Sequence, residues 1–170
     1  FLANHFLINH KTEEAKKLIK NSSKEYNSNL LIKQANLFLL SGENEKVKNF
    51  FNCKNPSDSI AEFFYVIGNL FASEENYKLS NFYLQISLFL NNKFLPNKAL
   101  LADNYYFQDQ NLLSKNTYES TKSIGEIYSW YASKRIATIL LHIEGKEYAT
   151  NNLEKEFSLL SKPNFEHYYE

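Results

Sequence analysis

The sequence predicts an all-α fold, a solenoid of antiparallel helix pairs, and three observations carry that prediction. Apolar and small residues recur at helical spacing along nearly the whole chain. They are clearest in residues 61–92, where Tyr77, Ser80, Leu84 and Ser87 mark one face. Small residues also recur at a near-constant interval: Ala3, Ala35, Gly68, Ala102 and Ala137 are separated by 32, 33, 34 and 35 residues. Strand signals are missing, because runs such as Phe63, Phe64 and Tyr65 sit inside a helical period.

The register repeats at three further offsets. Twelve residues after each small anchor come Ala15, Val47, Ser80, Ser114 and Ala149. Sixteen after it come Ile19, Phe51, Leu84, Tyr118 and Leu153, and three after it come Phe6, Phe38, Phe71, Tyr105 and Leu140. The physical reason is close packing. Two helices of a pair approach only where both carry small side chains, and larger residues to either side fill the groove.

The elements follow in order. A first unit, 1–27, has helices at 1–10 and 12–26, with Thr12 the expected cap of the second. The next unit, 28–58, has a helix at 28–41, a turn at Ser41, Gly42 and Glu43, and a short helix at 45–53. Asn55, Pro56, Ser57 and Asp58 make the clearest break. Ser59 with Glu62 reads as a capping box opening unit 59–94, whose helices meet at a turn over 73–76. Unit 95–128 runs from Pro96, a first-turn proline, to Gln108 and back along 112–123. That return helix, with Asn111, Thr117, Ser120 and Thr121, is expected to be the loosest element. Unit 129–163 has helices at about 125–144 and 148–161, turning at Gly145, and residues 164–170 open a further pair.

This pattern resembles the tetratricopeptide repeat, whose period is about 34 residues. The family places a small residue at position 8, an aromatic at 11, Tyr at 17, Ala at 20, an aromatic at 24 and Ala at 27. Here those positions hold Gly68, Phe71, Tyr77, Ser80, Leu84 and Ser87, with serine twice replacing alanine. The resemblance covers nearly the whole chain and implies a right-handed superhelix that recognises other proteins. It also implies a bacterial repeat protein, in cytoplasm or cell envelope alike.

Composition narrows the function classes. With 44% hydrophobic residues, 22% charged and net charge +0, the profile is that of an ordinary globular chain. The balance supplies no basic face for nucleic acid, and no apolar run reaches the roughly 18–20 residues of a membrane span. The single cysteine, Cys53, permits no internal disulfide. Heavy use of Asn, Lys, Phe, Tyr and Ile points to AT-rich coding, so abundance of Asn alone argues for nothing. There is no initiating Met and no signal-peptide pattern. The chain is expected to be a mature product or a piece of a longer array, self-associating through apolar ends at Phe1, Leu2 and Phe6 and at Phe165, Tyr168 and Tyr169.

No phosphate-binding glycine loop, zinc-protease motif or nucleophile elbow is present. His5 and His10 are poorly spaced for a metal, and carboxylate pairs such as Glu74 and Glu75 cluster at turns and helix starts, where they complement helix dipoles. No catalytic residue, cofactor or metal is therefore expected. The informative surface is the inner one that the resemblance implies. Position 9 gives Asn4, Asn36, Asn69, Asp103 and Thr138, and an amide can both donate to and accept from a peptide backbone. Tyr65, Tyr106, Phe107 and Tyr131 form the expected aromatic stripe, and Lys134 lies at position 5. The expected groove residues are thus Asn36, Asn69, Asp103, Tyr65, Tyr106, Tyr131 and Lys134, holding an extended or helical segment of another protein. Packing between repeats explains the same aromatics. The family's clamp for chaperone tails is disfavoured, because Ile32 and Tyr65 stand where it needs lysine. Two other readings stay open: the helical arm of a larger enzyme, and a structural self-assembly module.

Overall fold

The computed structural model describes residues 2–52, 54–160 and 163, and among them it is all-helical, with no strand. The helices are α1 (Leu2–Ile8), α2 (Thr12–Glu25), α3 (Leu30–Leu40), α4 (Asn44–Lys48), α5 (Pro56–Ser73), α6 (Tyr77–Leu90), α7 (Asn97–Phe107), α8 (Asn111–Thr121), α9 (Glu126–Ile143) and α10 (Lys146–Ser158), with a 3-10 turn over Lys122–Ile124. They pack as hairpins, α1 with α2, α3 with α4, α5 with α6, α7 with α8 and α9 with α10.

The hairpins share one turn chemistry. Each first helix ends on a left-handed residue: His10, Gly42, Glu75, Asp109 and Gly145 all have φ between 57° and 95°. The chain then folds back so that Lys11, Glu43, Asn76, Gln110 and Gly145 donate their N–H to the carbonyls of Phe6, Phe38, Phe71, Tyr105 and Leu140, at 2.8–3.0 Å. This closes the last turn of the helix in the manner of a Schellman motif. The acceptors are the residues three after each small anchor, so the turn repeats in step with the packing register.

That register is buried throughout. Ala3, Ala35, Gly68, Ala102 and Ala137 are all buried, as are Ala15, Val47, Ser80, Ser114 and Ala149 opposite them. The two serines do more than fit. Ser80 Oγ donates to the Gly68 carbonyl at 2.7 Å and Ser114 Oγ to the Ala102 carbonyl at 2.9 Å. A hydroxyl at the crossing satisfies itself on the partner backbone without adding bulk. Between α9 and its neighbours, Ala102, Tyr118, Ala132, Ile136, Ile139, Leu140 and Ala149 form one apolar core, and Leu7, Ala15, Ala35, Phe38, Leu39 and Val47 form a second around α1–α4.

Several boundaries differ from expectation. The helix α5 starts at Pro56 rather than at Ser59: Asn55 is its cap, accepting from Ser57 N at 3.2 Å, and Pro56 has no N–H to satisfy. Thr12 is the first residue of α2, whose cap position, Lys11, makes no side-chain bond. Helix α9, by contrast, spans Glu126–Ile143, within a residue of the expected 125–144. The helix α4 is shorter than 45–53. Beyond its end Asn4 Nδ2 reaches over from α1 to the carbonyls of Val47, Lys48 and, at 2.7 Å, Phe51, and Asn52 N donates to Asp58 Oδ2 rather than to the next helical turn. Far from being loose, α8 buries Ser114, Tyr118 and Thr121 completely. Of the expected apolar ends, Leu2 is exposed and Phe6 half-buried; Cys53, Phe1 and residues 164–170 lie outside the described residues.

The hairpins do not form a simple line. Helices α2 and α3, α6 and α7, and α8 and α9 stack in succession, but no helix of the α3–α4 hairpin packs along α5. Instead α3 meets α9, far away in the chain. Gln34, fully buried on α3, accepts from Ile127 N at 2.9 Å. This N–H belongs to the first turn of α9, whose own cap position is Gly125 with no side chain to offer. Gln34 therefore caps α9 across a sequence separation of 93 residues. A Cβ at Gly125 would sit 2.4 Å from the Gln34 carboxamide, so a larger residue there would displace the capping amide.

Candidate functional site

The first helices place a polar cluster where α7, α8 and α9 meet. Asp103 on α7 accepts from Tyr118 OH on α8 at 2.5 Å and from Tyr131 OH on α9 at 2.8 Å. Arg135, the chain's only arginine, lies one turn beyond Tyr131. Its Nη2 is 3.4 Å from Asp103 Oδ1, its Nε donates to Tyr131 OH at 3.2 Å, and its guanidinium lies 5.4 Å from the centre of the Tyr131 ring. The tyrosines are thereby fixed as donors. Burial raises the pKa of Tyr118 and of Tyr131, and the Asp103 charge adds to it. Burial also raises Tyr128 and Tyr65, with Glu62 and Asp103 contributing at Tyr65. For Arg135 burial works to lower the pKa, but Tyr131 and Asp103 outweigh it and the guanidinium is held more firmly charged than usual.

Of the expected groove residues, the fold joins Asp103 directly to Tyr131, and places Lys134 beside Tyr131 and Arg135 on the wall of one depression. This depression, about 680 Å³, opens between α9 and α10, with Ala137, Leu141 and Leu153 among its apolar lining and Lys134, Arg135 and Lys146 as its cations. The other expected residues make different contacts. Asn36 is half-buried on α3 and Asn69 exposed on α5, and no hydrogen bond joins either to the Asp103 cluster. Tyr65 is half-buried with its ring edge-on to Phe94 at 5.2 Å. Tyr106 packs on the α9 core and against Phe107, which stacks on Tyr77 at 5.3 Å. Tyr106 and Tyr131 both pack against the core formed by Ala102, Tyr118 and Ile136, and among the described residues no ring contact links Tyr65, Tyr106 and Tyr131 to one another.

The expected asparagine series divides too. Asn4 is buried and spent on the end of α4, and Thr138 Oγ1 donates to the Lys134 carbonyl of its own helix. Sequence reasoning missed Tyr118, Arg135 and Gln34 as partners. Tyr118 had been placed only as a groove filler, and the one signal for Arg135 was its spacing of one turn from Tyr131. No family model, curated protein or solved structure matches this chain. Among the described residues no helix is long and apolar enough to cross a membrane.

Proposed function

We propose that this chain is a non-catalytic protein-interaction scaffold of the tetratricopeptide-like kind. It holds an extended or helical segment of a partner along the surface of its first helices, ending in the depression between α9 and α10. The observation that carries the reading is that depression: an apolar floor at Ala137, Leu141 and Leu153 bordered by Lys134, Arg135 and Lys146. A segment with apolar side chains and a flanking carboxylate fits that chemistry. Exposed Asn69 and half-buried Asn36 offer amides to the rest of such a segment. Asp103 is assigned a different task, holding Tyr131 and Arg135 in place beside the depression.

The test uses a photo-reactive residue at Lys134 or at Asn69 in the intact chain, followed by identification of the cross-linked peptide. With the partner purified, Lys134→Glu and Leu141→Asp are expected to weaken binding by about tenfold or more, roughly 1.4 kcal/mol. Circular dichroism should be unchanged, since Leu141 is exposed and Lys134 half-buried. Cross-links confined to other positions, or affinity unchanged in both variants, would remove the depression from the reading.

A further inference from the structure

A cavity of about 150 Å³ lies where α1, α3 and α4 face α5. Ala35 on α3, Val47 on α4, Phe51 just after α4 and Phe94 from the segment before α7 line it, and each is more than nine-tenths buried. No helix of the α3–α4 hairpin packs along α5, and the cavity occupies the place where one would run. Leu31, Ile32 and Glu62 in its wall are half-buried, so that side meets solvent. An apolar cavity of this volume takes a molecule the size of benzene.

The cavity is not wholly apolar. Two polar side chains line it, Asn4 from α1 and Glu62 from α5, and both offer acceptors. Asn4 is 5% exposed. Its Nδ2 is spent on the carbonyls of Val47, Lys48 and Phe51, whereas its Oδ1 has no partner among the described residues. The Glu62 carboxyl makes no hydrogen bond or ion pair with a described residue, and no lysine or arginine lines the cavity. Burial raises the Glu62 pKa, and the charge of the amino terminus offsets this only in part.

These features select a ligand. A partly buried carboxylate without a counter-ion is costly, so the group that fits beside it is a cation. An anion would be repelled, and an alcohol would serve Asn4 but leave the carboxylate uncompensated. An ammonium group brings the charge together with donors for both acceptors. The rings of Phe50, Phe51 and Phe94 in the same wall suit a cation on a hydrocarbon body. We infer that this cavity is a binding site for a small organic ammonium ion, its hydrocarbon part no larger than a benzyl group, held by Asn4 Oδ1 and the Glu62 carboxylate. The inference is independent of the depression between α9 and α10.

The test uses the intact chain with benzylamine, a benzene ring carrying one methylammonium group, and with benzyl alcohol and toluene as uncharged counterparts. Affinity is read by isothermal titration, and the place of binding by shifts of backbone amide signals in nuclear magnetic resonance. Benzylamine should bind at least about tenfold tighter than either counterpart. Its shifts should centre on Ala35, Val47 and Glu62. Glu62→Gln keeps the size of the side chain and removes its charge. It should weaken benzylamine at least about tenfold and leave toluene unchanged. Glu74→Gln, at an exposed carboxylate just beyond α5, should change neither. Four outcomes overturn the proposal: no saturable benzylamine binding, toluene or benzyl alcohol bound as tightly as benzylamine, equal losses in the two glutamine variants, or shifts centred away from the cavity. The comparison of the three probes on the unaltered chain decides the matter even where a variant fails to fold.

Discussion

Gly68 sets two known effects against each other, and the structure says which wins. A Cβ there would lie 2.8 Å from Leu84 Cδ2 and 2.9 Å from its Cγ, with the Ser80 carbonyl 3.4 Å away. Leu84 is fully buried, so its side chain cannot swing into solvent to make room. Alanine in place of glycine in a helix interior gains about 1 kcal/mol of propensity. Overpacking a close contact costs about 1–3 kcal/mol. The net for Gly68→Ala is therefore a loss of about 0–2 kcal/mol. At about 2–4 °C per kcal/mol for a chain of this size, the midpoint should fall by up to about 8 °C. Gly68→Leu should fall further, since it adds three more carbons at the same point. A double-mutant cycle isolates the contact. Leu84→Ala alone costs about 2–5 kcal/mol, but in the Gly68→Ala background the clash is gone and the new methyl takes part of the void. The combined loss should be smaller than the sum of the two by about 0.5–3 kcal/mol. The assay is thermal unfolding followed by far-ultraviolet circular dichroism. A Gly68→Ala protein that melts higher by the full propensity gain, together with additive single effects, would refute the close approach of α5 and α6 at this point.

Two serines on α6, both fully buried, should respond in opposite directions. Ser80 bonds the Gly68 carbonyl and accepts from Asn104 Nδ2 at 2.7 Å, whereas Ser87 Oγ has no partner among the described residues. Ser80→Ala should destabilise by about 1–2 kcal/mol and Ser87→Ala should be neutral or stabilise by about 1 kcal/mol, read from urea midpoints; equal losses would contradict the difference. The buried tyrosines set a pH dependence. Tyr118 and Tyr131 have pKa values raised in the fold, while an unfolded tyrosine ionises near pH 10. Their contribution is complete below about pH 10 and is lost as the pH rises through and above it, because only the unfolded chain then releases the proton. Urea midpoints should drop on raising the pH from about 9 to 11, and Tyr118→Phe should shallow that slope; an identical slope in the variant would place the titrating groups elsewhere.

The parts of the fold legible in the sequence are those that depend on side-chain volume. Gly68 opposite Ser80 and Ala102 opposite Ser114 could be read from spacing, because close packing admits few residue types. Turn positions were half legible. Gly42 and Gly145 announce a left-handed residue, but His10, Glu75 and Asp109 adopt the same conformation, held there by the hydrogen bond that closes each helix. The asparagines were legible only in part: Asn29, Asn55 and Asn76 cap three helices and Asn4 bonds the end of a fourth, roles that their abundance does not announce. The Asp103 cluster was legible only in part. Asp103 and Tyr131 could be assigned to an inner surface by register, but Tyr118 and Arg135 join them through packing between three helices, which no local pattern records.

The departure from a linear stack traces to two polar side chains. In a repeat array each unit touches its neighbours alone. Here α4 has five residues, and Asn4 bonds the carbonyls at its end. No second helix then runs between α3 and α5. With that layer absent, α3 is close enough to α9 for Gln34 to cap Ile127, and Ile124, Tyr128 and Ala99 bury themselves with Leu30, Phe50 and Leu95 beside the contact. Asn91 Nδ2 reinforces the closure from α6 by bonding the Phe50 carbonyl at 3.0 Å. The same short helix leaves Phe63, Val66 and Leu70 of α5 exposed. Neither residue belongs to the hydrophobic pattern: Asn4 and Gln34 read as polar positions on a helix surface. Their effect comes from one half of each buried amide, Asn4 Nδ2 and Gln34 Oε1; Asn4 Oδ1 and Gln34 Nε2 have no partner among the described residues. The partners available were the orphan groups at one helix end and one helix start. Which helix faces this fold leaves exposed thus depends on how helix termini are satisfied, after the small residues have set the pairs.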